Sequence, residues 1–184
     1  MKTFSKKQWL TLIVFSVADF CSAICVSIQA PFYPEEAELK GASPTQYGLV
    51  FGVYEATVFI VSPLLGKYLN KLGARRVFIV GTFTTGFCAV MFGLLNRFED
   101  TDVFVGFSFF VRMVQGAGNA GFLTASFAIV ASEFPDRVAT MFASLETFFG
   151  LGLIVGPTVG ASLFELGGFS LPFIVMGFLL VMAA

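Results

Sequence analysis

Four charged side chains lie inside stretches that are otherwise apolar enough to cross a bilayer: Asp19, Glu55, Arg112 and Glu146. Each lies near the middle of its stretch, roughly 12–15 Å from the start at 1.5 Å per residue. An ionised group at that depth costs a few kcal/mol unless it faces a protein-lined cavity or a partner, so it marks a substrate or ion pathway. Carboxylates in such a place predict the binding of cations and protons.

Polar residues continue from two of these charges along one face of a helix. In the first stretch, one stripe at steps of three or four is formed by Ser16, Asp19, Ala23, Ser27 and Ala30. The fourth stretch has a second such face, made of Ser108, Arg112, Gln115 and Asn119. We expect Asp19 and Arg112 to approach one another in a cavity, and a purely structural ion pair is the alternative. Glu55 and Glu146 are then surplus negative charge.

The composition excludes a water-soluble protein. Of the 184 residues, 57% are hydrophobic, 12% are charged and 25 are Phe, which leaves too little polar surface to coat a globule. We therefore expect an all-α integral membrane protein, with a lipid bilayer and not nucleic acid as its partner.

Six apolar segments predict six transmembrane helices, because a bilayer core needs about 20 apolar residues per helix. The predicted helices are residues 9–30, 46–65, 77–95, 103–123, 139–164 and 169–184. Charges occur in the first and second helices and again in the fourth and fifth, which favours two inverted three-helix repeats with binding groups at their interface. The last segment reaches Ala184 without a polar exit, so we expect a fragment of a longer chain.

The distribution of basic residues predicts the orientation. Most of them fall on the side of the N-terminus: Lys2, Lys6, Lys7, Lys67, Lys71, Arg75, Arg76 and Arg137. Only Lys40 and Arg97 fall on the opposite side, so the N-terminus is expected to be cytoplasmic. Acidic residues on that opposite side either raise the local concentration of cations or only solvate short loops.

No catalytic constellation is recognisable. The chain has no histidine, and its three cysteines have neither disulfide nor metal-ligand spacing. Residues 116–121 match the glycine spacing of a dinucleotide-binding loop, but they lie within one apolar helix and are better explained as a packing face. We expect no enzyme, no metal site and no organic cofactor.

Three motifs resemble signatures of the major facilitator superfamily, in the expected helices and order. The loop signature between helices two and three has as its matching positions Gly66, Asn70, Lys71, Gly73, Arg75 and Arg76. Residues 112–120 resemble the helix-four signature. The helix-five antiporter signature is represented by Gly152, Gly156, Pro157 and Gly160. The resemblance implies the N-terminal half of a twelve-helix transporter, with the C-terminal half as its missing partner.

Further runs resemble the vesicular amine transporters, and especially their vesicular polyamine transporter branch: residues 31–38, 40–43 and 144–148. Asn70 replaces the usual aspartate of the superfamily, as is also typical of vesicular amine carriers, while Lys71 and Ala74 replace arginines. A weaker cytoplasmic charge lock is the expected consequence. The resemblance also implies a secretory or synaptic-type vesicle membrane.

The signatures have physical explanations of their own. Gly66 and Gly73 allow a tight turn, and the basic residues that follow can hold helix ends or a carboxylate in one conformation and release them in another. We interpret this segment as a cytoplasmic gate, although the charges alone could serve as topology anchors. In helix five, glycines at steps of four allow close approach of another helix, and Pro157 loosens its own helix.

These features predict a proton-coupled antiporter that works by alternating access. An organic cation, such as a polyamine or another amine, and H⁺ would compete for Asp19, Glu55 and Glu146, since a carboxyl group in a low-dielectric site binds a proton more readily than in water. The resemblance implies that Asp19 is an amine-binding aspartate. The alternatives are a half-length membrane protein for interaction or sensing, and a carrier of a different small solute.

Overall fold

The structure is a computed structural model that describes residues 5–183, and the regular elements in that range are all helical. Its α-helices are α1 Lys6–Ser27, α2 Gln29–Leu39, α3 Pro44–Leu72, α4 Ala74–Gly93, α5 Thr101–Glu133, α6 Val138–Gly167 and α7 Ser170–Met182. Short 3₁₀ turns precede α5 and α6. Within this range five helical stretches are long and apolar enough to cross a membrane, and α7 is a shorter apolar helix. The predicted all-helical membrane fold is confirmed. Lys2 and Ala184 lie outside the described residues.

The helices extend beyond the segments predicted from hydropathy. Together α1 and α2 form one apolar stretch, Lys6–Leu39, because Pro31 falls in the first turn of α2, where its missing N–H breaks no hydrogen bond. The helix α3 continues through Pro63 to Leu72, well past residue 65. The charged residues of α2 and α3 that suggested loops therefore lie in the last turns of these helices.

One part of the loop signature is helical, contrary to our expectation. Gly66 and Asn70 lie inside α3, so Gly66 makes no tight turn. The turn is made by Gly73 alone, whose φ of 84° is a left-handed conformation that L side chains rarely adopt. This glycine both ends α3 and precedes the first residue of α4.

Two sets of contacts define the ends of the bundle. One end of the bundle, here called the near end, contains the start of α1. There Lys7 Nζ lies 2.7 Å from Glu133 Oε1, which joins the start of α1 to the end of α5. At the far end, Lys40 Nζ donates to the carbonyl of Asn96 at 3.1 Å, and Thr101 Oγ1 donates to the carbonyl of Lys40 at 2.5 Å. The helices α1 and α5 are therefore antiparallel.

The packing of the helices is symmetric between the two halves of the chain. The helix α1 packs along α6, and α3 packs along α5 in the same way, while α4 packs on both α5 and α7. Exchanging residues 5–97 with residues 101–183 interchanges the α1–α6 and α3–α5 pairs, as two three-helix repeats require. The extensive contact of α4 with α5 has only a much smaller counterpart between α7 and α1. The second helix of each repeat, α3 and α6, is the least buried of the long helices in the described chain.

Candidate functional site

The interior of the bundle is polar where α1, α2 and α5 meet. Side chains on these three helices that are almost fully buried include Asp19, Ser22, Gln29, Ser108, Arg112, Gln115 and Asn119. Burying a polar group costs free energy unless the group is hydrogen-bonded, so these side chains need partners in the interior. Two clusters of buried apolar side chains make up much of the remaining core.

Arg112 lies in a cage of aromatic rings. Its guanidinium carbon is 4.4 Å from the ring centre of Tyr54, 5.2 Å from that of Phe51 and 5.8 Å from that of Phe92. The side chain is 2% exposed, and its Nη1 donates to Gln115 Oε1 at 3.1 Å. Ring faces attract a desolvated cation, so the cage partly replaces the water that Arg112 has lost.

The expected approach of Asp19 to Arg112 is wrong. Among residues 5–183 the salt bridges are Lys7–Glu133 and Lys40–Glu36, and neither involves Asp19 or Arg112. Asp19 lies instead beside Leu123 of α5. Leu123 is about 16 Å along the helix axis from Arg112 at 1.5 Å per residue. The prediction placed Arg112 and Asp19 at one depth by counting residues from the start of each apolar segment. That depth is wrong because α5 continues ten residues past its predicted end at residue 123, so Arg112 lies farther from that end of the helix than expected.

Hydrogen bonds establish which residues of α1 and α2 face each level of α5. Ser22 Oγ donates to Asn119 Oδ1 at 3.3 Å, and Gln29 Nε2 donates to Gln115 Oε1 at 3.4 Å. Gln29 was not predicted as a site residue, because at helical spacing it lies off the stripe that contains Asp19 and Ser27. The level of Arg112 is therefore reached by α2, not by Asp19.

Several polar atoms in this region remain available for a ligand. Gln29 Oε1, Arg112 Nε and Gln115 Nε2 are buried and have no hydrogen-bond partner within the described part of the chain. Because an unsatisfied buried polar atom costs about 1–3 kcal/mol, such a group is usually explained by a function.

Two of the predicted carboxylates come together in a second part of the site. Asp19 on α1 and Glu146 on α6 line one cavity of about 130 Å³, whose other walls are Leu123, Phe127, Leu145 and Phe149. Asp19 is 4% exposed, and the two carboxyl groups are close enough to repel each other. This arrangement can bind one cation between two acids.

Glu55 lies apart from that pair. It is exposed on α3, next to Tyr54, and its charge acts on Arg112. Glu55 and Glu146 thus occupy the second helix of each repeat, and both are exposed in the described chain. The predicted set of three carboxylates is divided between a pair and a single group.

The basic residues of the loop signature are exposed at the ends of α3 and α4. The ammonium groups of Lys67 and Lys71 lie 5.5 and 5.9 Å from the ring centre of Tyr68. None of the salt bridges among residues 5–183 involves Arg75 or Arg76, which are exposed. Instead, the contact that joins helix ends here is Lys7 with Glu133, supported by Gln8 Nε2 donating to the Glu133 carbonyl at 2.9 Å.

Comparison with known proteins identifies the family. The model of the Major Facilitator Superfamily matches residues 15–184. The chain belongs to that superfamily. It is 43% identical over 173 residues to the MFS-type transporter SLC18B1 of Homo sapiens, and this match covers 94% of this chain and 38% of the relative. It is 28% identical over 153 residues to the vesicular acetylcholine transporter of Mus musculus, covering 82% of this chain and 26% of the relative.

These matches confirm the family resemblance recognised in the sequence, including its vesicular amine transporters. The chain spans about two fifths or less of the length of these relatives. An archaeal relative, the uncharacterized MFS-type transporter MJ1560 of Methanocaldococcus jannaschii, is 25% identical over 177 residues. The relatives are membrane transporters, which supports transport and not enzymatic catalysis.

The helix-five signature of the superfamily lies against α1 in this structure. A Cβ atom added at Gly152 would be 2.6 Å from both Ala23 Cβ and the Phe20 carbonyl oxygen. One added at Gly160 would be 2.8 Å from the Phe32 ring, and one at Gly156 would overlap Ser27. The three glycines thus allow α6 to approach α1 and the start of α2 closely, and Pro157 lies inside α6 without ending it. Close packing here determines where Glu146 lies relative to Asp19.

Proposed function

We propose that the protein is the N-terminal half of a proton-coupled antiporter of organic cations, with polyamines as the favoured substrates. The observation that carries the proposal is the pair of carboxyl groups, Asp19 and Glu146, in one cavity. Two acids in a partly buried site cannot both be ionised cheaply, so the pair takes up either a proton or a cation. Competition between the two ions is what an antiporter requires.

The walls of the cavity suit an organic ammonium group better than a metal ion. Phe127 and Phe149 lie beside the two carboxylates, and aromatic faces attract such cations. A relative is named for acetylcholine, which is an organic cation. A polyamine carries several charges, and the separate carboxylate of Glu55 offers it a further site.

The polar face of α5 connects the two parts of the site. Along this helix Arg112 comes first, then Gln115 and Asn119, and then the wall of the carboxylate cavity at Leu123. We assign Gln115 and Asn119 to the path of the substrate and Arg112 to a fixed positive charge at its far end. A cation would be held near Asp19 and Glu146, and Arg112 would repel it except where Glu55 offsets the charge of Arg112.

Alternating access needs a second half. The exposed faces of α3 and α6 carry Glu55 and Glu146, and we propose that a C-terminal six-helix half covers them and completes the cavity. Lys71, Arg75 and Arg76, together with the Lys7–Glu133 contact, would form the gate at the near end. That end is proposed to be cytoplasmic, in a secretory or synaptic-type vesicle membrane, with the proton gradient as the only coupling agent.

The test is uptake of labelled spermidine, with serotonin as comparator, into proteoliposomes that hold the full-length protein and a pH gradient. We expect saturable uptake of spermidine that a protonophore abolishes. Asp19→Asn and Glu146→Gln should each reduce it at least about tenfold, since either change removes one charge of the pair.

Glu165→Gln is the matched control, because Glu165 is an exposed acid on the same helix as Glu146 and does not line the cavity. It should leave uptake unchanged. Uptake that persists in Asp19→Asn and Glu146→Gln would contradict the carboxylate pair. Absence of uptake of either amine by the unmodified protein would favour a different solute or a role without transport.

A further inference from the structure

An apolar groove opens on the outer surface between α3 and α4, over the small residues of α5. Its volume is about 520 Å³, within the range of about 300–1,000 Å³ typical of ligand pockets. The groove runs along α4 from Arg76 to Thr84, which is roughly 12 Å at 1.5 Å per residue. This is close to the depth of one leaflet of the hydrocarbon core, about 15 Å.

The floor and walls of the groove are mostly apolar, with Thr84 as the one uncharged polar side chain among the described residues that line it, and they leave room for a flexible chain. Gly81, Gly118, Gly121 and Ala117 line the groove, and aliphatic residues of α3, α4 and α5 form most of the rest. Arg76 is the one charged residue that lines it. An occupant should therefore be apolar along its length and anionic at one end.

The charge around the Arg76 end is strongly biased. No Asp or Glu occurs between Glu55 and Glu99, whereas Lys67, Lys71 and Arg75 lie in the same segment as Arg76. None of these basic residues forms a salt bridge with a carboxylate in the described part of the chain. Their charge is thus available for an anion from outside.

We propose that this groove binds one anionic phospholipid, with an acyl chain along α4 and the phosphate at Arg76. The lipid headgroup supplies the missing negative charge next to α3 and α4, and the acyl chain fills the groove. The site is separate from the carboxylate cavity and does not depend on the identity of the transported substrate, although it shares Arg76 with the proposed gate.

The test is native mass spectrometry of the full-length protein in detergent, with phosphatidylserine or phosphatidylcholine added at equal concentration. We expect phosphatidylserine to be retained in preference to phosphatidylcholine. Arg76→Gln should weaken that retention about fivefold, the effect of about one basic side chain at an anionic surface. Val80→Trp should abolish it, because Val80 lines the groove and is 63% exposed, so a larger ring can fill the space without entering the core.

Each variant has a neighbour as its control. Arg75→Gln removes an adjacent exposed charge that does not line the groove, and Ile79→Trp adds the same ring to an exposed position outside it. Both should retain the lipid. The proposal is overturned if all four variants bind alike, if Arg75→Gln loses as much lipid as Arg76→Gln, or if the unmodified protein shows no preference for the anionic lipid.

Discussion

Replacing Gly152 by alanine should separate α6 from α1 and thereby move Glu146 away from Asp19. The added Cβ would lie 2.6 Å from Ala23 Cβ and 2.6 Å from the Phe20 carbonyl oxygen, whereas ordinary contact begins near 3.4 Å. The helices must therefore part by about 0.8 Å, and overpacking of this kind costs about 1–3 kcal/mol. Phe20 presents its backbone here, so no side chain can rotate out of the way.

Gly150→Ala is the matched control on the same helix, because a Cβ at Gly150 meets nothing within 4 Å. That change should be neutral or stabilise the helix by up to about 1 kcal/mol. The assay is thermal unfolding of the full-length protein in detergent, followed by spermidine uptake in proteoliposomes. Gly152→Ala should lower the unfolding temperature and weaken uptake, while Gly150→Ala should do neither. Equal behaviour of the two variants would refute the argument that glycine packing positions Glu146.

Two further changes test the contacts around the site. Arg112→Lys should keep the positive charge but lose the flat contact with the ring of Tyr54 and the bond to Gln115. We expect uptake to fall several-fold and the unfolding temperature to drop, because a buried charge loses its partners; unaltered uptake would show that the charge alone suffices for transport. Lys7→Ala and Glu133→Gln should be measured in unfolding, singly and together, to obtain the coupling energy between the two residues. We expect about 0.2–1 kcal/mol, because the Lys7 side chain is 75% exposed and water weakens an exposed ion pair. Strict additivity of the two changes would mean that the contact does not join the helix ends.

Much of the fold follows from hydropathy because a bilayer imposes a simple requirement on helix length. Hydropathy did not show at which residue each helix ends. Charged residues after position 65 suggested a loop, yet α3 continues to Leu72, since a helix loses nothing by extending into the polar edge of a membrane. The same effect in α5 placed Asp19 at the wrong level relative to Arg112.

The sequence predicted which types of residue form the candidate site, but not how they are arranged. A charge in an apolar stretch is visible in sequence, and the structure places Asp19 and Arg112 among the buried residues. Which charges meet depends on how helices pack, and no pattern along the chain contained the pairing of Asp19 with Glu146. The aromatic cage of Arg112 was missed for the same reason, because Phe51 and Phe92 look like ordinary apolar residues.

The most direct test of the central claim is to count the protons released when spermidine binds to the full-length protein in weakly buffered detergent solution. If substrate and proton compete for Asp19 and Glu146, binding should release protons from the unmodified protein, and Glu146→Gln should release fewer. Spermidine that binds without releasing any proton would contradict the account.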